Sequence, residues 1–73
     1  MASYSKQDIE TMIKESGLRV TGHRTTILTT ISKVKQPITV YELVDTLRKK
    51  ADIDQATVYR NLSSLHEAGL LRR

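Results

Sequence analysis

The sequence predicts a mainly α domain of four short helices. Apolar residues recur at helical spacing in four separate stretches, a capping residue precedes each, and glycine or proline follows most of them. The chain has 73 residues and no cysteine, which allows one small core held by packing alone.

The first helix runs from about Lys6 to Ser16. Ser5 and Asp8 have the spacing of a capping box, Ile9, Met12 and Ile13 form a short stripe, and Gly17 is a natural stop. The second begins near Gly22 with Thr21 as N-cap. Ile27, Leu28, Ile31 and Val34 follow at helical spacing, and Gln36-Pro37 ends it, because the residue before proline avoids helical angles.

Thr39 and Glu42 make a capping box for the third helix, with Ile38 and Leu43 placed as a hydrophobic staple. Val40, Leu43, Val44 and Leu47 give its inward face, and cations from Arg48 to Lys50 suit its C-terminal end. Asp54 caps the fourth helix. Ile53 and Val58 can staple it, Val58, Leu62 and Leu65 face inward, and Gly69 supplies a left-handed cap. Beyond it, Leu70-Leu71-Arg72-Arg73 reads as the opening of a strand.

Composition narrows the function classes. No apolar run reaches membrane-spanning length, and Met1 to Lys6 has no apolar signal-peptide core. The lack of cysteine suits a cytoplasmic location. The net charge of +4 is unremarkable for a small domain, but its distribution is informative. No acid lies between Glu15 and Glu42, where Arg19, Arg24, Lys33 and Lys35 stand. None lies from Gln55 to His66, which holds Arg60. Two acid-depleted segments can meet as one surface for a polyanion.

The third and fourth helices are separated only by Ala51 to Ile53. Such a tight pair fits a helix-turn-helix, and fits a generic helical bundle nearly as well. The outward face of the fourth helix favours the first. At about 100° per residue, Ala56, Arg60 and Ser63 fall opposite the apolar cluster and Tyr59 falls on a flank. Arg60 can donate two parallel hydrogen bonds to guanine, and Gln55 can reach an adenine edge. Tyr59 can meet a thymine methyl or a phosphate. Thr57, with the helix N-terminal amides, can bind phosphate, and Ala56 permits close approach. Taken singly, an exposed arginine is ordinarily just solvated, and a flank tyrosine is more often a core edge.

Ala56-Thr57-Val58-Tyr59-Arg60-Asn61-Leu62 resembles the A-T-V-Y-R/N-x-L signature of the ferric uptake regulator family. Leu18-Arg19-Val20-Thr21-Gly22-His23-Arg24 resembles the family's L-[KR]-x-T-x-x-R segment, and Glu67-Ala68-Gly69-Leu70 its E-x-G-[LI] turn into the wing. The resemblance covers about Gly17 to Arg73. It implies a mainly α, winged helix-turn-helix fold with an extra N-terminal helix and a truncated, rudimentary wing sheet near Ile38 and Leu70 to Arg72.

The resemblance further implies a single DNA-binding domain over residues 1–73, the operator-reading part of a bacterial metal- or peroxide-responsive repressor. Tyr59 and Arg60 would read the major groove, and Arg19 an A/T-rich minor groove. Thr21, Arg24 and Thr57 would touch or organise phosphate contacts, Tyr41 would contact the backbone, and His23 would lie on the phosphate side. The partner would be double-stranded DNA, an A/T-rich inverted repeat. The chain alone would be monomeric, whereas a full-length family member would be a homodimer.

Departures from the family pattern shape the remaining expectations. Gln36 or Pro37 stands where the family commonly has a metal-binding histidine, and Gly22 where proline is usual. The family's C-terminal half, with its histidine-rich motif, paired cysteines and dimer interface, lies outside this sequence. A zinc, iron or manganese cofactor is therefore expected there and not on these residues. His23 and His66, on different helices without cysteine, make no evident metal site. An enzyme is excluded by the lack of a nucleophile with its base, of paired carboxylates and of a glycine-rich phosphate loop. The alternative is a winged-helix module for protein contact, which predicts an apolar patch near Tyr59 and Arg60.

Overall fold

A computed structural model of the chain describes residues 5–34 and 36–71. Four helices follow in order: α1 (Lys6–Glu15), α2 (Gly22–Ser32), α3 (Val40–Ala51) and α4 (Gln55–Glu67). The mainly α class is as expected.

Helix ends are fixed by local chemistry. At α1 the Ser5 hydroxyl accepts from the Asp8 amide at 3.1 Å, and the Asp8 carboxylate accepts from the Ser5 amide at 3.1 Å. Thr39 and Glu42 make the same reciprocal pair at α3, both bonds 3.0 Å. The Glu42 carboxyl is held below its ordinary range, first by the Thr39 amide and then by the Thr39 hydroxyl. Thr21 caps α2 by accepting from the Arg24 amide at 3.1 Å.

The C-termini of α1 and α4 close alike. Gly17 (φ 92°) and Gly69 (φ 84°) take left-handed angles that cost an L side chain energy. The Gly17 and Leu18 amides then donate to the carbonyls of Lys14 and Ile13, and the Gly69 and Leu70 amides to those of His66 and Leu65. Each end is a Schellman motif that satisfies carbonyls the helix leaves open. α3 ends differently, on Asp52, a non-glycine residue at φ 54°.

α2 is the hub. It packs on α1, α3 and α4, α3 packs on α4, and α1 meets no helix except α2 among the described residues. The core accordingly has two parts. Ile27, Leu43, Val44, Leu47, Ile53, Val58 and Leu65 form the larger cluster under the helix-turn-helix. Ile9, Ile13 and Leu28 form the smaller one, between α1 and α2. Leu18, Leu70 and Leu71 pack against both. Each fully buried Ile or Leu contributes roughly 1.5–3 kcal/mol over its exposed state, so α1 belongs to the fold's energetics.

Three expectations need correction. α2 stops at Ser32, well short of Gln36, and Val34 lies outside the helix. Thr30 and Ser32 turn their hydroxyls onto the carbonyls of Thr26 and Thr29, a local competition that weakens helix continuation. Val40 is not inward: it is 46% exposed, because a first-turn residue overhangs the end of the core. No strand forms among the described residues. Ile38 is irregular, and Leu70 and Leu71 pack on the core instead of pairing. Arg72 and Arg73, the rest of the expected strand, lie outside the described residues, as does Lys35 of the acid-free segment.

Candidate nucleic-acid interface

The Asp52–Asp54 turn links α3 to α4 through the left-handed Asp52, the inserted Ile53 and the extended Asp54. The Ile53 amide donates to the Leu47 carbonyl at 3.4 Å, and the Ile53 side chain is buried among Leu47 and Val58. The direction of α4 is thereby set by core packing on one side. Its other side is left open: Gln55, Ala56, Tyr59, Arg60 and Ser63 are all exposed, and Thr57 is half-buried.

Acids flank this face without occupying it. α4 has no acidic residue in its first turn. Asp54, at the N-cap position, is fully exposed and closes no side-chain cap hydrogen bond with the helix. Its carboxyl is nonetheless held below the usual range, first by the nearby Thr57 hydroxyl and also by the positive charge of Arg60. Asn61 is turned onto its own helix, donating from Nδ2 to the Thr57 carbonyl at 2.8 Å, and so is not available on the open face.

A second group surrounds the N-terminus of α2. Arg19 and His23 are exposed, whereas Thr21 and Arg24 are half-buried. The Thr21 hydroxyl is engaged as the cap of α2. Arg24, expected to touch or organise a phosphate contact, is engaged within the protein. Its Nη1 donates to the Arg19 carbonyl at 2.8 Å, and its Nε is buried without a hydrogen-bond partner. A buried N–H without a partner costs about 1–3 kcal/mol, so packing and the carbonyl contact hold this side chain against solvation.

Tyr41, in the first turn of α3, is 80% exposed, far above what an aromatic core edge would show. Thus every residue singled out from sequence is at least partly accessible. All but Tyr41, on α3, fall in two groups, Arg19–Thr21–His23–Arg24 around α2 and Gln55 to Ser63 along α4. No hydrogen bond or ion pair connects the two among the described residues.

An apolar groove lies beside the α4 face, near where the protein-contact alternative predicts an apolar patch. It is an open depression of about 870 Å³ lined by apolar residues that include Ile38, Val40, Tyr59 and Leu62, with Thr39, Ser63, His66 and Glu67 at its polar parts. Tyr59, 45% exposed, lines the groove and also belongs to the open side of α4. The signal was available in Ile38 and Val40, two apolar residues flanking a cap, where the core cannot extend. On α3, Asp45 pairs with Lys49 at 3.1 Å and Arg48 at 3.4 Å, and Lys49 chiefly lowers its pKa. These pairs are exposed and contribute little to stability.

His66 Nδ1 is paired with the Leu71 carbonyl at 3.2 Å, and His23 stands apart at the start of α2. Among the described residues no three His, Asp or Glu side chains gather. No helix there is long and apolar enough to cross a membrane.

The family model described as the ferric uptake regulator family matches residues 15–73, which takes in all of α2, α3 and α4. No curated protein and no solved structure matches the chain.

Proposed function

Since the chain belongs to the ferric uptake regulator family of transcription regulators, we propose that it is a sequence-specific, double-stranded-DNA-binding domain that reads the operator of a bacterial metal- or peroxide-responsive repressor. The observation that carries this reading is the open face of α4. A helix held to the core by Val58 and Leu65 presents Ala56, Tyr59, Arg60 and Ser63 to solvent. That is the arrangement a recognition helix needs to enter a major groove.

In this reading Arg60 donates a bidentate pair to guanine O6 and N7. Tyr59 lays its ring on a thymine methyl, and Gln55 reaches an adenine edge. Thr57 and the first-turn amides of α4 meet phosphate. Tyr41 meets the sugar-phosphate backbone, and Arg19 and His23 extend the contact from the start of α2. The partner is an A/T-rich inverted repeat, bound by one half-site per domain, and the protein works in the cytoplasm. Members of the family regulate transcription and are not enzymes. The chain forms one domain, and the regulator's metal is held by residues other than these.

Fluorescence anisotropy on the best duplex selected from a randomised pool, and on its scrambled counterpart, tests the proposal. The expected result is tighter binding to the selected duplex, with affinity falling steeply as salt rises. Equal affinity for both at moderate salt would overturn the specificity. A second reading, a module for protein contact, is favoured by the apolar groove beside Tyr59. It predicts no salt-dependent affinity for duplex DNA, so the same titration separates the two.

A further inference from the structure

The stretch between α1 and α2 is pinned at both ends. Leu18 donates its amide to the Ile13 carbonyl at 3.3 Å and packs against both core clusters. Thr21 is fixed as the cap of α2. Arg19 and Val20, between the anchors, are exposed. Among the described residues, one hydrogen bond reaches the backbone of this pair, from Arg24 Nη1 to the Arg19 carbonyl. That bond restrains the peptide plane between Arg19 and Val20. The orientation in turn sets where the Arg19 side chain leaves the surface.

We propose that Arg24 is a positioning residue for DNA recognition: its guanidinium, held in the first turn of α2 and tied to the Arg19 carbonyl, fixes the exposed Arg19–Val20 pair so that Arg19 is delivered to the minor groove. This rests on the DNA-reading function above. It assigns Arg24 a role different from direct phosphate contact. Arg24 is half-buried, and its Nε is enclosed without a partner, so its conformation is already committed before any ligand arrives. A solvated phosphate-binding arginine has no such commitment. The guanidinium is suited to the task because it is planar, always charged and carries its donors on a long stem. A lysine keeps the charge but ends in a point donor on a shorter stem.

Preorganisation of Arg19 bears on specificity more than on overall affinity. A long side chain offered in one direction loses less conformational freedom when it enters a narrow groove. Narrow grooves occur at A-tracts and are widened by TpA steps at the same A/T content. Arg24 therefore contributes to the discrimination between these two shapes.

The test compares the 73-residue chain with Arg19→Ala, Arg24→Lys, Arg24→Ala and the Arg19→Ala/Arg24→Lys double variant. The probes are an A-tract duplex and the same duplex broken by TpA steps. Amide order parameters from NMR report residues 18–20 in the free proteins. Arg24→Lys is expected to keep the salt slope and the melting temperature, to lose the A-tract preference as Arg19→Ala does, and to loosen residues 18–20. The double variant is expected to lose nothing further, because both changes remove one device. If Arg24→Ala fails to fold, the lysine variant carries the test. Retention of the A-tract preference by Arg24→Lys, with residues 18–20 as ordered as in the parent, would overturn the proposal. A parent chain that binds both duplexes alike would overturn the minor-groove role of Arg19 and the specificity assigned to Arg24 with it, whatever the order parameters show.

Discussion

Replacing Ile13 by alanine should destabilise the whole domain, not merely release α1. Ile13 is fully buried, in a small cluster with Ile9 and Leu28, and among the described residues α1 touches no helix except α2. Removing the outer carbons of a buried isoleucine costs about 2–5 kcal/mol, depending on how far the site collapses. The cluster is small and edged by partly buried Met12, Leu18, Leu70 and Leu71, so some collapse is available. About 3 kcal/mol is the working figure. A domain of 73 residues has a total stability of about 4–11 kcal/mol. At roughly 4–8 °C per kcal/mol, the melting temperature should fall by about 12–24 °C. Ile13→Val, which keeps most of the side chain, should cost about 0.5–1.5 kcal/mol. Thermal melts followed by circular dichroism, with urea titrations for the slope, give both numbers. The reasoning fails if Ile13→Ala shifts the midpoint by less than about 5 °C, or if α1 melts in a separate early transition. Either result would make α1 an appendage whose loss the helix-turn-helix does not feel.

Four further outcomes follow from the caps, the charges and the histidines. Gly69→Ala should cost about 1–2 kcal/mol in a urea titration, a pure backbone effect because an added Cβ meets nothing within 4 Å. Asp52→Gly should have the opposite sign, relieving a non-glycine residue at φ 54°. Glu42 has a folded pKa below its unfolded one, so its cap contribution is complete above the ordinary glutamate range and fades as pH falls through the depressed value. Carboxyl NMR should show that depressed titration, and Glu42→Gln should remove this part of the acid sensitivity while leaving the cap's shape. Zn²⁺, Fe²⁺ or Mn²⁺ should leave the melting temperature unchanged, since His66 is tied to Leu71 and no ligand cluster forms among the described residues. A stabilisation saturating at one equivalent would show a site at His23 or His66.

What could be read from the sequence was what is local. The boxes at Ser5–Asp8 and Thr39–Glu42, the Thr21 cap and the left-handed stops at Gly17 and Gly69 depend on residues within one turn, and all form as the spacing predicts. The open face of α4 was legible for the same reason, because one helical wheel fixes which residues oppose Val58 and Leu65. The early end of α2 was harder to see, since it turns on whether Thr30 and Ser32 prefer carbonyls to solvent. Val40 followed the apolar period, but the wheel does not say where the core ends along the helix axis. The Arg24–Arg19 tie was invisible because it depends on the path of a loop between helices. The groove beside Tyr59 was signalled only by Ile38 and Val40, because its shape depends on how α3 and α4 meet.

The central claim is that α4 reads base edges, and Arg60→Ala tests it most directly. Arg60 is exposed on the open side of α4, away from the core that holds the helix, so circular dichroism should find the variant folded. Affinity is then measured for the best selected duplex and for each of its single-base variants, at several salt concentrations. Loss of a bidentate guanine contact should cost about 1–3 kcal/mol, roughly 5- to 150-fold in Kd. The loss should be concentrated at one base pair, whose variants the mutant no longer distinguishes. If Arg60→Ala instead weakens every duplex equally and lowers the salt slope by about one unit, Arg60 holds a phosphate, and α4 is not the reading helix.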